Sequence, residues 1–472
     1  MPVDYIIKQI LQELPFVPNA GQDELLRKLG KFLVCTEEEK AFVLRGYAGT
    51  GKTSMVSALV RAMNKLKQPF CLLAPTGRAA KVLSGYSGFP AYTIHKRIYR
   101  QRQLGADEYG LAPNMQQHTL FIVDEASMLS NQQNDNGSFG SGRLLDDLIR
   151  HVYSGQGCSL LLLGDDAQLP PVGQNDSPAL NINNLQSYGL NVTEHTLREV
   201  ARQALDSGIL LNATQIRNML NTGNVNLMPE IVTEGYEDIR SVYDKEEFLQ
   251  EIEDSYRSVG QDDTILITRT NRRTNLYNQG VRNQILWREE KIAQGDRIMV
   301  TKNNYFWTAQ NKQNTFLANG DIFSISRLHN QREIYDFQFV DATLRSLDEE
   351  NSEIDVTLWL DSLFTESPEA NFAMQKELFV RIAADYPEIR NKRDLWKEVM
   401  KSPYYNALQV RFAYAVTCHK AQGGQWKRVF IDPGQVGDDQ LGENFYRWFY
   451  TALTRAQDKV FLINFPPKVQ KY

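Results

Sequence analysis

Short, unbroken apolar runs punctuate the first third of the chain: Phe42-Val43-Leu44, Phe70-Cys71-Leu72-Leu73, Leu120-Phe121-Ile122-Val123 and Leu160-Leu161-Leu162-Leu163. Continuous apolarity bounded by turn formers predicts strands covered on both faces, hence a parallel sheet. Between the first two runs Val56, Leu59, Val60 and Met63 fall at i, i+3, i+4 and i+7, which predicts a helix with one buried stripe. Strands alternating with helices make an open α/β sheet, whose ligands sit at the carboxyl ends of the strands. A second set follows: Thr264–Thr268, Val410–Thr417, Val429–Ile431 and Val460–Ile463, with a helix striped by Phe445, Trp448, Phe449 and Ala452.

Between these sets the pattern changes. Gly295–Val300 and Asn319–Ile325 read as short strands with tight turns. Residues 362–402 turn helical, with Phe372, Met374, Leu378, Phe379 and Ile382 at mixed helical spacing; this segment braces the strands or binds a partner. Residues 131–143 form a polar loop rich in Gly, Ser and Asn.

Composition narrows the class. A length of 472 residues suggests three domains, at ~150 residues each. Apolar residues at 42% and charged residues at 23% fit an ordinary globular chain. No apolar run reaches the ~18 residues of a membrane helix. The first residues lack a basic-then-apolar leader, so we expect an intracellular protein of a bacterial or phage cytoplasm with no membrane partner. Four scattered cysteines fit reduced thiols, and six histidines without a metal-binding spacing predict no zinc. The net charge of −5 argues against coating duplex DNA by bulk electrostatics, but a narrow basic groove fits. Residues 78–103 carry Arg78, Lys81, Lys96, Arg97, Arg100 and Arg102 with Tyr86, Phe89, Tyr92 and Tyr99 interleaved, as such a groove would. Residues 341–370 hold nine acidic side chains against Arg345 alone, and are expected to face solvent.

The candidate chemistry sits at the strand ends. Gly46-Tyr47-Ala48-Gly49-Thr50-Gly51-Lys52-Thr53 fits G-x-x-x-x-G-K-S/T between a strand and a helix. Such a loop cradles phosphates with successive N–H groups, Lys52 neutralises the β and γ oxygens, and Thr53 holds Mg²⁺. Asp124-Glu125 closes the next strand; Asp124 is the metal residue and Glu125 the general base that activates water. Gly164–Gly173 follows the fourth strand, and its Gln168 can position water beside the γ-phosphate. The second α/β set has no phosphate loop of its own, so it can supply an arginine to the first.

The ordered series resembles the B-type branch of superfamily 1 DNA helicases, the RecD/Dda/PIF group. Gln22 after Asn19-Ala20-Gly21 resembles the adenine-reading Q motif. Ala74-Pro75-Thr76-Gly77-Arg78-Ala79-Ala80-Lys81 resembles motif Ia, and Gly164–Gly173 motif III. Arg198–Gln203 resembles motif IV, Thr417-Cys418-His419-Lys420-Ala421-Gln422-Gly423 motif V, and Tyr450–Arg455 motif VI. The resemblance implies Arg455 and Arg202 as the candidates for the arginine supplied to the first set. The resemblance implies two RecA-like P-loop NTPase lobes, a small pin insertion and an SH3-like β-barrel insertion. Its boundaries would be lobe 1A over 1–200 with the pin at 86–118, lobe 2A over 201–290 plus 405–472, and the barrel and helices over 291–404. It implies ATP bound by Gln22, Gly46, Ala48, Gly49, Thr50, Gly51, Lys52, Thr53, Ser54 and Gly423, with Mg²⁺ on Thr53 and Asp124. DNA contacts would fall on Thr76, Arg78, His95, Asn271, Thr417 and His419, and Tyr109 would be the wedge of the pin. The implied activity is 5'-to-3' translocation on single-stranded DNA with unwinding at junctions, by a monomer with replication or repair partners. A translocase that strips proteins from DNA, or a P-loop NTPase or kinase not acting on nucleic acid, are the alternatives.

Overall fold

The computed structural model describes residues 2–101, 109–133, 139–199, 206–308, 316–347, 353–365, 367–465 and 470–471. The chain folds as two compact units, residues 1–241 with 421–472, and residues 242–420.

The first unit is built on a six-stranded sheet. Its strands are β1 (Lys40–Gly46), β2 (Phe70–Ala74), β3 (Ala91–Thr93), β6 (Leu120–Val123), β7 (Ser159–Gly164) and β8 (Asn191–Leu197). They lie in the order β3-β2-β6-β7-β1-β8, all parallel. Each apolar run of the sequence is a central strand, and β6 and β7 are buried along their whole length. The helix Lys52–Lys65 buries its predicted stripe of Val56, Leu59, Val60 and Met63 against this sheet. A short antiparallel hairpin, β4 (Tyr99–Gln101) with β5 (Tyr109–Leu111), stands in the connection between β3 and β6. The insertion is therefore smaller than residues 86–118, because Ala91–Thr93 forms the edge strand of the main sheet.

The same unit holds β9 (Ile231–Val232), paired in parallel with β20 (Gln470–Lys471). It also holds β10 (Ile239–Val242), β18 (Trp426–Asp432) and β19 (Ala456–Ile463), ordered β10-β19-β18. The helix Glu443–Leu453 buries Phe445, Trp448, Phe449 and Ala452, the predicted stripe.

The second unit contains the parallel pair β11 (Thr264–Thr268) and β17 (Ala415–Thr417). Beside it stands a closed barrel of β12 (Arg297–Val300), β13 (Ile322–Ile334), β14 (Phe337–Ser346), β15 (Glu353–Trp359) and β16 (Leu408–Phe412). The run Val410–Thr417 is thus two strands: the chain leaves the barrel at Phe412 and enters the parallel pair at Ala415. The barrel extends past residue 404 for the same reason. Helices Pro368–Ala383 and Lys392–Val399 brace it, packing Leu378, Ile382 and Val399 on Phe337, Phe339 and Trp359. Phe372, expected in that stripe, is 71% exposed. The acidic stretch does not all face solvent: Asp341 sits in β14, where it pairs with Arg332 and accepts from Thr357.

One buried charge cluster holds the second unit. Asp296, fully buried, accepts from Arg282 Nε at 3.1 Å, from the Tyr414 hydroxyl at 2.8 Å and from Arg288. Removing one partner leaves the others desolvated without compensation. Asp296→Ala should therefore destabilise the protein by about 3–5 kcal/mol, read as a shift of the denaturant midpoint; an unchanged midpoint would mean that the two arginines find water instead.

Candidate nucleotide site

Strand order alone gathers the chemistry. β6, β7 and β1 are neighbours and parallel, so the loops that leave their carboxyl ends lie side by side. These loops are Gly46–Thr53, Asp124-Glu125 and Gly164–Gly173. In the first, Gly49 (φ 75°) and Gly51 (φ 81°) occupy the left-handed region open to glycine. A Cβ at Gly51 would stand 2.7 Å from Gln22 Nε2. Lys52 opens the helix and donates to Gly46 O at 2.7 Å and Gly164 O at 3.1 Å, tying β1 to β7. Thr53 and Ser54 fall in the first turn of that helix.

Gln22 supports this loop. Its Oε1 accepts from Asn19 N at 3.1 Å in a capping box, and its Nε2 donates to Thr50 O at 3.1 Å. Its side chain is 3% exposed and braces the loop from behind.

Asp124 accepts Glu125 N–H at 2.9 Å on one oxygen and the Tyr86 hydroxyl on the other. Burial, then the neighbouring Glu125, raises its affinity for a proton, while Lys52 and Tyr86 oppose the rise. Tyr86, one of the aromatics expected in the basic groove, faces the Asp124 carboxylate, and burial pushes its own hydroxyl well above the usual range. Glu125 has φ 51°, an uncommon backbone for a non-glycine residue and one that concentrates at functional sites.

Arg455 completes the site. Its Nη1 lies 3.4 Å from Glu125 Oε1 and its Nε donates to Thr451 O at 3.0 Å, with the side chain 4% exposed. The helix Glu443–Leu453 carries it there, docking along the Gly164–Gly173 loop through Arg447, Tyr450 and Thr451. Arg447 donates to Gln168 O at 3.2 Å, the Tyr450 hydroxyl donates to Asp165 at 2.6 Å, and the Thr451 hydroxyl accepts from Leu169 N at 2.9 Å. Gln422 adds a bond to Leu169 O at 2.7 Å. Gln422, Tyr450 and Thr451 fall within the segments that resemble motifs V and VI but are not among the expected site residues, and neither is Arg447, although 447, 450 and 451 share one polar face at i, i+3 and i+4 of an apolar helix. Ala48, expected to offer its amide to phosphate, gives it to the Tyr450 hydroxyl at 3.0 Å.

The oxygen of the Gln168 carboxamide is buried and without a hydrogen-bond partner among the described residues. Such an acceptor is costly unless a ligand or water meets it, as a water-positioning residue requires. With the glycine-lined loop, Lys52, the hydroxyl of Thr53 and the carboxylates of Asp124 and Glu125, the donor set fits a magnesium nucleotide: hard oxygens for the ion, amides and a cation for phosphates.

The other expected residues are dispersed. Thr76 caps the helix Gly77–Ser87, accepting from Ala79 N at 3.2 Å. Arg78, expected on DNA, stacks its guanidinium 5.0 Å from the Trp426 ring and donates to Gln425 O at 3.2 Å, so it braces the motif V segment. Gly423, expected on the nucleotide, packs on motif Ia: with φ 74°, its Cβ would stand 2.7 Å from Ala79 Cβ. His95 packs on Phe139 at 5.1 Å and Tyr99 at 5.7 Å, and burial pushes it down to about 4, so it carries no charge for phosphate near neutral pH. Tyr109 is in the expected hairpin, where it is 6% exposed and packs its ring on Phe139 at 5.1 Å in the stem. Phe139, at the C-terminal side of the polar stretch, bridges to Tyr109 of the hairpin. Asn271 opens the helix after β11, Thr417 ends β17 and His419 follows it, exposed, all in the second unit. Arg202 and the hairpin tip 102–108 lie outside the described residues.

A parallel sheet with a phosphate loop, two carboxylates at the adjoining strand end and an arginine at their side defines a RecA-like P-loop NTPase core. Residues 18–226 match the model of an AAA domain, and residues 412–463 that of a UvrD-like helicase C-terminal domain. The ATP-dependent RecD2 DNA helicase of Deinococcus radiodurans is 31% identical over 159 residues, 33% of this chain and 20% of that protein. The uncharacterized protein R530 of Acanthamoeba polyphaga mimivirus is 21% identical over 94% of this chain and 99% of its own. A crystal structure of Pif1 helicase from Bacteroides with ADP-AlF3 and ssDNA aligns over 96% of this chain and 94% of its own, at 15% identity and a TM-score of 0.48. The two family models and the helicase relative bear out the resemblance to B-type superfamily 1 DNA helicases.

All four cysteines are free thiols, and burial pushes Cys71 up to about 11. Among the described residues no helix is long and apolar enough to cross a membrane.

Two outcomes follow from this geometry. Tyr86→Phe removes the hydroxyl on Asp124, at a cost of ~1 kcal/mol, and should raise the Mg²⁺ concentration for half-maximal ATP turnover several-fold. An unchanged Mg²⁺ titration would take Tyr86 out of the metal site. Asp165 is held at about 6 by burial, against the opposing pull of Lys52 and Tyr450. Its folded-state value is raised, so raising the pH from 4 through 6 strips a proton from the folded protein that the unfolded chain has already lost. Stability should fall across that window, by on the order of 3 kcal/mol. Asp165→Asn should flatten this slope in thermal unfolding, and equal slopes in the two proteins would refute the assignment.

Proposed function

We propose that this chain is an ATP-dependent DNA helicase that moves 5'-to-3' on single-stranded DNA and opens duplexes at junctions. The observation that carries this reading is Arg455 beside Glu125: residues far apart in sequence meet at 3.4 Å, where an arginine can stabilise charge on a transferring phosphoryl group. Lys52 and the amides of the phosphate loop would hold ATP, and Thr53 and Asp124 would hold a Mg²⁺ ion, which would supply charge neutralisation to the phosphates. Glu125 takes the proton of the attacking water, which Gln168 orients through its unmet oxygen.

Direction comes from the family resemblance. Thr76, Asn271, Thr417 and His419 contact the strand without reading its sequence, as short hydroxyls, an amide and an imidazole suit phosphate and base contact. The β4–β5 hairpin is the duplex-splitting element, resting on its aromatic stem of Tyr99, Tyr109 and Phe139. The protein acts inside the cell, as a monomer, in DNA replication, repair or recombination.

Partial duplexes with a single 5' or 3' tail test activity and polarity together. Separation should occur with the 5' tail; opening only from the 3' tail would reverse the direction, and none from either would leave a translocase without strand separation. Glu125→Gln should keep ATP binding and slow turnover by roughly 10²–10⁴-fold, and normal turnover would remove Glu125 as the base.

A further inference from the structure

We propose that Tyr450 is a positioning residue for ATP hydrolysis: its hydroxyl ties the phosphate loop to the Gly164–Gly173 loop, and so sets the helix that delivers Arg455 to Glu125. The inference rests on the ATP-hydrolysing reading of the site.

The hydroxyl has one proton and two lone pairs, and both functions are used. It donates to Asp165 Oδ2 at 2.6 Å and accepts Ala48 N–H at 3.0 Å. Asp165 Oδ1 accepts Ala167 N–H at 3.0 Å, so the carboxylate is fixed at both oxygens. Tyr450 and Asp165 are each 1% exposed. Water cannot replace a lost partner there without opening the packing. Burial and the adjacent carboxylate keep the Tyr450 hydroxyl protonated, so it stays a donor across the working pH range.

The helix transmits this anchor over a short, stiff distance. Thr451 follows directly, with its hydroxyl on Leu169 N and its carbonyl on Arg455 Nε at 3.0 Å. One turn therefore separates the clasp on the phosphate loop from the guanidinium on Glu125. The Arg455–Glu125 contact is long, at 3.4 Å, so a small shift of the helix decides whether it is made. Arg447 and Thr451, on the same helix, reach the Gly164–Gly173 loop, whereas the Tyr450 hydroxyl reaches the phosphate loop at Ala48. Tyr450 is the side chain that registers the arginine against the phosphates.

The test is steady-state ATP hydrolysis by the full chain with single-stranded DNA, comparing Tyr450→Phe, Arg455→Ala and the double variant. Tyr450→Phe keeps the ring in its pocket and removes only the hydroxyl. We expect kcat to fall about tenfold with KM for ATP nearly unchanged, since the loss concerns an interaction made in the transition state. If Tyr450 acts through Arg455, the double variant should be no slower than Arg455→Ala alone. A normal kcat, a change confined to KM, or losses that multiply in the double variant would each overturn the inference. Should Tyr450→Phe fold poorly, Asp165→Asn weakens the same clasp from its other end and must show the same kcat loss and the same lack of additivity. A wild-type chain without ATP turnover would sink the hydrolytic reading itself; an active wild type with a kinetically normal Tyr450→Phe sinks this inference alone.

Discussion

Three parallel strands, β6, β7 and β1, sit side by side, and the site depends on that order. Parallel strands end on one edge of a sheet, so three loops distant in sequence meet without any special contact to pull them together. Lys52 then stitches two of these loops through Gly46 O and Gly164 O. Everything with catalytic potential on this face, including Asp124, Glu125 and Gln168, inherits its position from strand pairing.

The C-terminal segment is the second requirement. It folds into the same unit as the phosphate loop, and a single helical face carrying Arg447, Tyr450 and Thr451 accounts for the fit. Hydrogen bonds here are made to backbone atoms of Gln168 and Leu169 and to one buried carboxylate. That choice makes the docking sensitive to the shape of the Gly164–Gly173 loop, whose Gln168 carries the unmet acceptor. A loop that responds to phosphate would therefore move the arginine, and the arginine's helix would feel the phosphate.

Several residues picked for their type have partners within the scaffold. Arg78 lies over Trp426, His95 lies against Phe139, and Gln22 braces Thr50. Each is half apolar or amide-bearing, and such side chains find partners inside as readily as on a ligand. The barrel was legible only in outline. Its longest hairpin turns at Tyr335-Asp336, both at positive φ, without the Asn-Gly pair that usually marks such a turn. The break between β16 and β17 was equally silent, because Phe412–Val416 stays apolar through the change from barrel to parallel pair.

What the linear chain determined was the phosphate loop, its flanking strand and helix, the carboxylates of Asp124-Glu125 and the repeated strand set. These depend on local periodicity and on glycine at fixed offsets, which neighbouring residues impose. Folding in three dimensions decided the rest: that Tyr86 faces Asp124, that Tyr450 bridges Ala48 and Asp165, that Arg455 reaches Glu125, and that Tyr109 is buried. Those pairings join residues separated by tens to hundreds of positions. Burial and strand order set them, and no local pattern encodes either one.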